Sequence, residues 1–435
     1  MSDPVDFIHA LNWDDLPAEV RAQAKLNVLD LLGVAAGGLG TRLSGIIRDH
    51  AADSFAGTLP MLFDARRASP LGVALAAGMT IDALDGHDGF NPAKGHIGCP
   101  LFAGLLPMAL RRGLSGRDML AALVMGYEFG ARASVAQHAT VPDYHTSGSW
   151  GAVTVAAAGA RVGGLDRQTT RHALGIAEYH GPRSQMMRCI DHPSMLKDGA
   201  GWGAMAGVSA VDLAAKGFTG APAITVEDAP GYWQGLGSRW LILEQYYKPY
   251  PVCRWAQAPV EAILALRKVH GLVASDVDHI EIETFHESVR LATRRPRTTE
   301  EAQYSTSFPC AVAMLKGGLT AADIADDALS DPELLRLSER VRMREADRAN
   351  EAFPARRLAR VDIVLKDGRR LQSDWQEPGW DPSAPPSASE LGAKYMTLAA
   401  PVLGDGLARA IAAVVEGLET RPFSDLAALI CAPVG

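Results

Sequence analysis

From about Leu16 to about Leu266, apolar residues recur at three- and four-residue steps, the spacing of helices that bury one face. In LPAEVRAQAKLNVLDLLGVAAGG, Val20, Ala24, Val28, Leu31 and Leu32 share one face, with Asp15 and Pro17 as start signals. LGVALAAGMTIDALD, CPLFAGLLPMALRRG and GRDMLAALVMGYEFGARASVAQH read the same way. GSWGAVTVAAAGARVGG and GAGWGAMAGVSAVDLAAKG are almost entirely Gly, Ala, Ser and Val. Small side chains let helices approach closely, so these two are expected inside a bundle.

The texture changes near Ala274. DHIEIETF alternates and is rich in Ile, which predicts a strand. LARVDIVLKDGRRLQSDW predicts a hairpin turning at Asp367-Gly368. PCAVAMLKGG and DPELLRLSERVRM read as helices between them, and QEPGWDPSAPPSASE as a linker. From Glu390 the helical pattern returns. The expected fold is mainly α: a large all-helical domain (residues 1–268 and 394–435) with a smaller α+β domain (269–393) inserted.

Length and charge narrow the function. A chain of 435 residues exceeds one simple core. A net charge of -8 argues against nucleic acid as the main ligand. It leaves room for a small anion held by a few local cations. No apolar run reaches the length of a membrane span. Five cysteines without a C-x-x-C pair suggest neither a disulfide framework nor a thiolate zinc site. With an acidic N-terminus lacking an apolar signal core, the expected setting is cytoplasmic.

Against this apolar background, DALDGHDGFNPAKGHIG (82–98) concentrates Asp82, Asp85, His87, Asp88, Lys94 and His96 in one loop. Three further segments place charge before a predicted helix: PDYHTSGSWG with His145, RCIDHPSMLKDGAG with Asp191, His192 and Lys197, and YYKPYPVCRWAQAPVEA with Lys248 and Arg254. Helix N-termini favour anions, and lysine or arginine beside them can hold carboxylates. A single such residue is ordinarily a cap or a solvated charge; four clusters in one apolar region are harder to read that way. Asp, His, Asp and His in the first loop suit a metal chemically. Lys94 in the same loop and a spacing unlike standard motifs count against one, so no metal is expected. GWGAMA lacks the preceding strand that a dinucleotide fingerprint needs, and SGSWG has Ser147 where a hydrolase elbow needs glycine.

DALDGHDGFNPAKGHIG, KGFTGAP, YKPYPVCRWAQAPVEA, AQYSTSFPCAVAMLKG and PPSASELGAKY together make the chain similar, over nearly its whole length, to the MmgE/PrpD family. That family includes 2-methylcitrate dehydratase, cis-aconitate decarboxylase and iminodisuccinate epimerase. The resemblance implies a helical domain with an α+β lid, an active site between them, a homodimer and no cofactor. It places the family's aspartate-rich loop on Asp85 and Asp88, its two histidines on His96 and His145, and its lysines near Lys197 and on Lys248. Where dehydratases and the decarboxylase carry a D-x-D-D-T type loop, this chain reads Asp85-Gly86-His87-Asp88-Gly89, with Lys94 before the closing histidine. Phe308 occupies a position often held by tyrosine, and Tyr304 lies nearby. The DGH…KGH loop resembles the branch that includes iminodisuccinate epimerase.

These residues suit proton transfer next to a carboxylate. Cations aimed at the carboxylate oxygens stabilise the charge that develops, each by on the order of 3 kcal/mol. Lys197, Lys248 and Arg254 are such cations, joined by Lys94, with Asp88, His87 and Tyr304 as further substrate contacts. His96 or His145 is the expected base, Lys197 its partner on the opposite face or a carboxylate's anchor, and Asp85 or Asp88 the group that orients a histidine or meets the substrate's imino nitrogen. The expected activity is epimerisation of a small dicarboxylate such as iminodisuccinate. The alternative is a dehydratase of the 2-methylcitrate type or a related decarboxylase on a di- or tricarboxylate.

Overall fold

Helices from Ala18–Gly38 through Ala200–Ala214 build the larger body of the chain, whose computed structural model describes residues 3–433. The outermost two positions at each end of the expected helical domain lie outside the described residues. The five apolar residues predicted to share a face of Ala18–Gly38 are all buried. Its start differs from the sequence reading. Pro17 stands at the N-cap with no side-chain cap bond, and Asp15 closes a separate short turn, Trp13–Asp15.

The two small-residue helices, Gly148–Gly163 and Ala200–Ala214, are central. Ala200–Ala214 packs against both Gly148–Gly163 and Pro70–Asp82. At the second crossing a Cβ on Gly78 would lie 2.5 Å from the Gly201 Cα, so the backbones touch directly. These helices matter to the site because its loops leave from their ends. The C-terminal helix Ala388–Leu403, which starts in a capping box between Ser387 and Glu390, returns to pack on Ala18–Gly38.

A second core forms around a four-stranded sheet, in the order Val341–Glu345, Val277–Thr284, Arg360–Leu365, Arg370–Gln372. The first pair is parallel and the others antiparallel, with Ile280 opposite both Val341 and Ile363. The predicted strand and hairpin are present, and Gly368 takes a left-handed φ of 86° at the turn. Val341–Glu345 corrects the sequence reading, which continued the preceding helix into this stretch; that helix, Pro332–Glu339, ends first. Helix Arg254–His270 contributes Ala256, Val260 and Ile263 to the sheet's core. The architecture is thus mainly α, with a smaller α+β part.

Candidate active site

The loop after Pro70–Asp82 is held from three sides. Gly89–Phe90 pairs antiparallel with Gln245–Tyr246, which brings Lys248 under the loop. His96 N–H donates to Ser147 Oγ at 2.9 Å, and Trp150 Nε1 donates to the His96 carbonyl at 3.1 Å. Lys394 on the C-terminal helix donates to Gly86 O at 2.7 Å. Among the described residues, five non-glycines adopt left-handed backbone: Phe63, Asp85, Lys94, Lys197 and Trp380. Asp85, Lys94 and Lys197 were all singled out from sequence. Each costs about 1 kcal/mol or more of backbone strain, which surrounding contacts must offset.

A narrow cleft of about 350 Å³, mouth included, opens over this loop. Asp85, Lys94, His96, Lys248, Arg254 and Tyr304 line it, so the fold gathers residues scattered over more than two hundred positions. His87, Asp88, His145 and Lys197 do not line it. His87 lies fully buried behind His96, its ring centroid 4.1 Å away, and Asp88 receives the Tyr127 hydroxyl at 2.8 Å in the interior. The expectation that His87 and Asp88 touch substrate is therefore corrected: no cleft surface belongs to them. His145 is tied to the backbone, its Nδ1 2.7 Å from the Asp143 carbonyl. Lys197 donates to Gln303 Oε1 and holds its ammonium 4.6 Å from the centroid of the cleft residue Tyr304.

Sequence reasoning missed Asp198 and Arg357, both in the cleft wall. Asp198 accepts from Ser147 at 2.8 Å and faces His96 Nε2 at 3.5 Å. Its signal was present: an aspartate directly after Lys197, just before a small-residue helix. Arg357 arrives from the sheet side, donating to Asn91 Oδ1 at 2.7 Å and Pro354 O at 3.0 Å. Nothing local in PARRLAR separates it from neighbouring surface arginines.

The charges sort into spent and available. Lys248 donates to both Asp85 O and Asp85 Oδ1 at 2.6 Å. Arg254 donates to Asp381 Oδ2 at 2.8 Å and to the Tyr247 and Gly379 carbonyls. Lys94, Lys197 and Arg357 have no carboxylate partner among the described residues: Lys94 stands 4.3 Å over the Tyr144 ring, and Arg357 and Lys197 meet neutral groups.

Burial raises the Asp85 carboxyl, but Lys248 and Lys197 outweigh it and hold it at about 2. Burial lowers His96 to about 4, with His87 and Lys248 adding to the effect, so its ring is neutral at ordinary pH. Its Nδ1 lies 2.5 Å from the Asp88 carbonyl. A carbonyl only accepts, so Nδ1 carries the hydrogen and Nε2 presents a lone pair to the cleft. Burial raises Asp198 to about 6, with the Asp82 and Asp85 charges adding to the rise and His96 opposing it. A lone-pair base and a carboxyl that holds a proton near neutrality thus share one wall of a cationic cleft.

Residues 4–239 match the MmgE/PrpD N-terminal domain and residues 250–420 the MmgE/PrpD C-terminal domain. The chain is similar to cis-aconitate decarboxylase of Aspergillus terreus, 24% identical across 98% of this chain and 94% of that protein. It is similar to the cis-aconitate decarboxylase-like protein oryM of Aspergillus oryzae, 23% identical across 98% and 96%. A shorter match, 27% identical across 48% of this chain and 44% of the relative, is to mitochondrial 2-methylcitrate dehydratase of Yarrowia lipolytica.

Proposed function

Because the chain belongs to the MmgE/PrpD family, we propose that it is a lyase acting on a small tricarboxylate, with loss of carbon dioxide as its reaction. The observation that carries this reading is the set of available cations. Lys94 and Arg357 line the cleft together with the neutral His96 and lack carboxylate partners among the described residues, and Lys197 stands behind the cleft residue Tyr304. A substrate with several carboxylates matches that charge. Loss of carbon dioxide leaves an electron pair on carbon, spread into a neighbouring carboxylate. Cations on that carboxylate lower the barrier, and a proton must then reach carbon. Asp198 supplies the proton and His96 Nε2 manages it on the same wall.

The relatives matched over nearly the whole chain carry decarboxylase names. Dehydration is the second reading, favoured by the match to 2-methylcitrate dehydratase. It uses the same pair in another order: His96 takes the proton next to the carboxylate, and Asp198 protonates the departing hydroxyl. The epimerase expected from the DGH…KGH loop has no support from these relatives and gives way to the lyase reading.

Proton NMR of the purified protein with cis-aconitate, and separately with 2-methylcitrate, tests this. Loss of the single vinylic proton signal of cis-aconitate with release of carbon dioxide is the expected outcome. A His96→Ala variant should lower the rate about 100-fold or more. Inert tricarboxylates beside deuterium exchange at the α-carbon of iminodisuccinate would return the epimerase.

A further inference from the structure

His96 Nε2 lies 3.6 Å from Asp85 Oδ1 and 3.5 Å from Asp198 Oδ2. With Nδ1 spent on the Asp88 carbonyl, Nε2 carries a lone pair. Neither distance is a hydrogen bond: Asp85 Oδ1 accepts from Lys248 and Asp198 Oδ2 from the Ser147 hydroxyl. Behind them His87 is fully buried, and neither of its ring nitrogens has a hydrogen-bond partner among the described residues. Its Nε2 stands 3.5 Å from Asp82 Oδ1, itself without a partner. A buried imidazole ordinarily finds a partner for each nitrogen. The two unpartnered His87 nitrogens and the free His96 Nε2 leave donor atoms for a metal cation.

We propose that Asp85, His87 and His96 bind a divalent transition-metal ion of the zinc type, and that the bound ion inhibits the enzyme. One ligand atom from each of the three residues lies within 4.8 Å of the others. Ligands about 2.1 Å from a tetrahedral ion stand about 3.4 Å apart, so a set lying within 4.8 Å closes on the ion by small side-chain rotations. Two imidazoles and one carboxylate select zinc, iron or cobalt over magnesium or calcium. The Asp88 carbonyl on His96 Nδ1 is the outer partner that orients a ligating histidine. The fourth position faces the cleft, because Asp85 and His96 line it.

The objection raised by Lys94 in the sequence is met by the fold, which carries its ammonium away onto the Tyr144 ring. The Lys197 charge acts on Asp85 and His87 from nearby, and Lys248 touches the set directly. It occupies Asp85 Oδ1, so the metal takes the other carboxylate oxygen. Inhibition follows because the ion occupies the His96 lone pair that the lyase reading uses for proton transfer. That consequence rests on the lyase reading; the site itself rests on the donor geometry alone.

The experiment adds Co²⁺ to chelator-treated, full-length protein and follows its visible absorption, with Zn²⁺ then added in competition. The expected result is one equivalent of Co²⁺ with bands stronger than those of the aqueous ion, bleached by Zn²⁺. His87→Ala should weaken Co²⁺ binding at least tenfold, and His87→Gln, which keeps a polar side chain there, should do the same if the first variant folds poorly. Absent bands, or both variants binding as tightly as the parent protein, would overturn the site. Where turnover of a tricarboxylate is measurable, Zn²⁺ at the stoichiometry set by the Co²⁺ titration should slow it. Turnover unchanged or raised would overturn the inhibitory role and leave the site standing. A protein inert toward tricarboxylates removes the lyase reading, while the Co²⁺ spectrum still decides the metal site.

Discussion

Two cations in the same cleft wall do different work, and a pair of substitutions separates them. Lys248 is consumed by Asp85, and both are buried. Lys248→Met leaves a buried carboxylate without its main counter-charge, which costs about 3–5 kcal/mol. The denaturation midpoint should fall sharply. Arg357 meets only neutral oxygens, and its Nε has no partner. Arg357→Gln should leave the midpoint near that of the parent protein and raise KM about tenfold or more, the worth of a hydrogen bond to a charged group. The reverse pattern would mean that Arg357 is a structural brace. At this scale the sequence was legible where charge interrupts an apolar run, as in the loop carrying Asp85, Lys94 and His96. It was silent for Arg357, which sits in an ordinary basic stretch and gains its meaning only from contact with Asn91. It misled for His87 and Asp88, because the loop turns some of its residues to the cleft and others to the interior, and the spacing does not say which.

Among the elements, the contact between Pro70–Asp82 and Ala200–Ala214 is the one on which the site depends. Asp85 leaves the end of the first helix, and Lys197 and Asp198 precede the start of the second. Gly78 and Gly201 set their separation. A Cβ on Gly201 would lie 2.5 Å from the Leu75 carbonyl and 2.9 Å from the Met79 amide, neither of which can turn aside. Gly201→Ala should therefore lower stability by about 1–3 kcal/mol, read as a drop in the thermal midpoint. It should also cut kcat, since the Asp198–His96 spacing opens with the helices. An unchanged midpoint would show that the helices can separate freely. The small-residue composition of Ala200–Ala214 announced this close packing in the sequence. The edge strand Val341–Glu345 was hidden for a physical reason. Its outward residues are Arg342 and Arg344, charges that protect a sheet edge, and only Arg340 separates it from an amphipathic helix. The two-residue pairing of Gly89–Phe90 with Gln245–Tyr246 is too short to leave any alternation.

For the whole molecule, the C-terminal helix holds the site without entering it. None of the cleft-lining residues lies beyond Arg357. Yet Lys394 donates to Asp30 Oδ1 at 2.6 Å and to Gly86 O at 2.7 Å, joining the last long helix, the first long helix and the loop of the candidate site at one buried ammonium. The linker before it is equally engaged, since Gly379 O and Asp381 receive Arg254. Composition marked that stretch as a linker, and the contacts show it fastening the sheet part to the cleft. Lys394→Met should strand Asp30, whose carboxyl burial already raises. The expected loss is about 3 kcal/mol, because a buried charge without its partner is costly. Asp30→Asn with Lys394→Met should recover part of that loss, since neither charge then remains buried. Catalysis should not recover with it. The bond from Lys394 to Gly86 O is absent in both variants, and Gly86 adjoins Asp85. Thermal midpoints and kcat measured on the two variants separate the outcomes. Recovery of both together would make Lys394 a stabilising contact alone, and recovery of the midpoint alone would make it the residue that sets the loop.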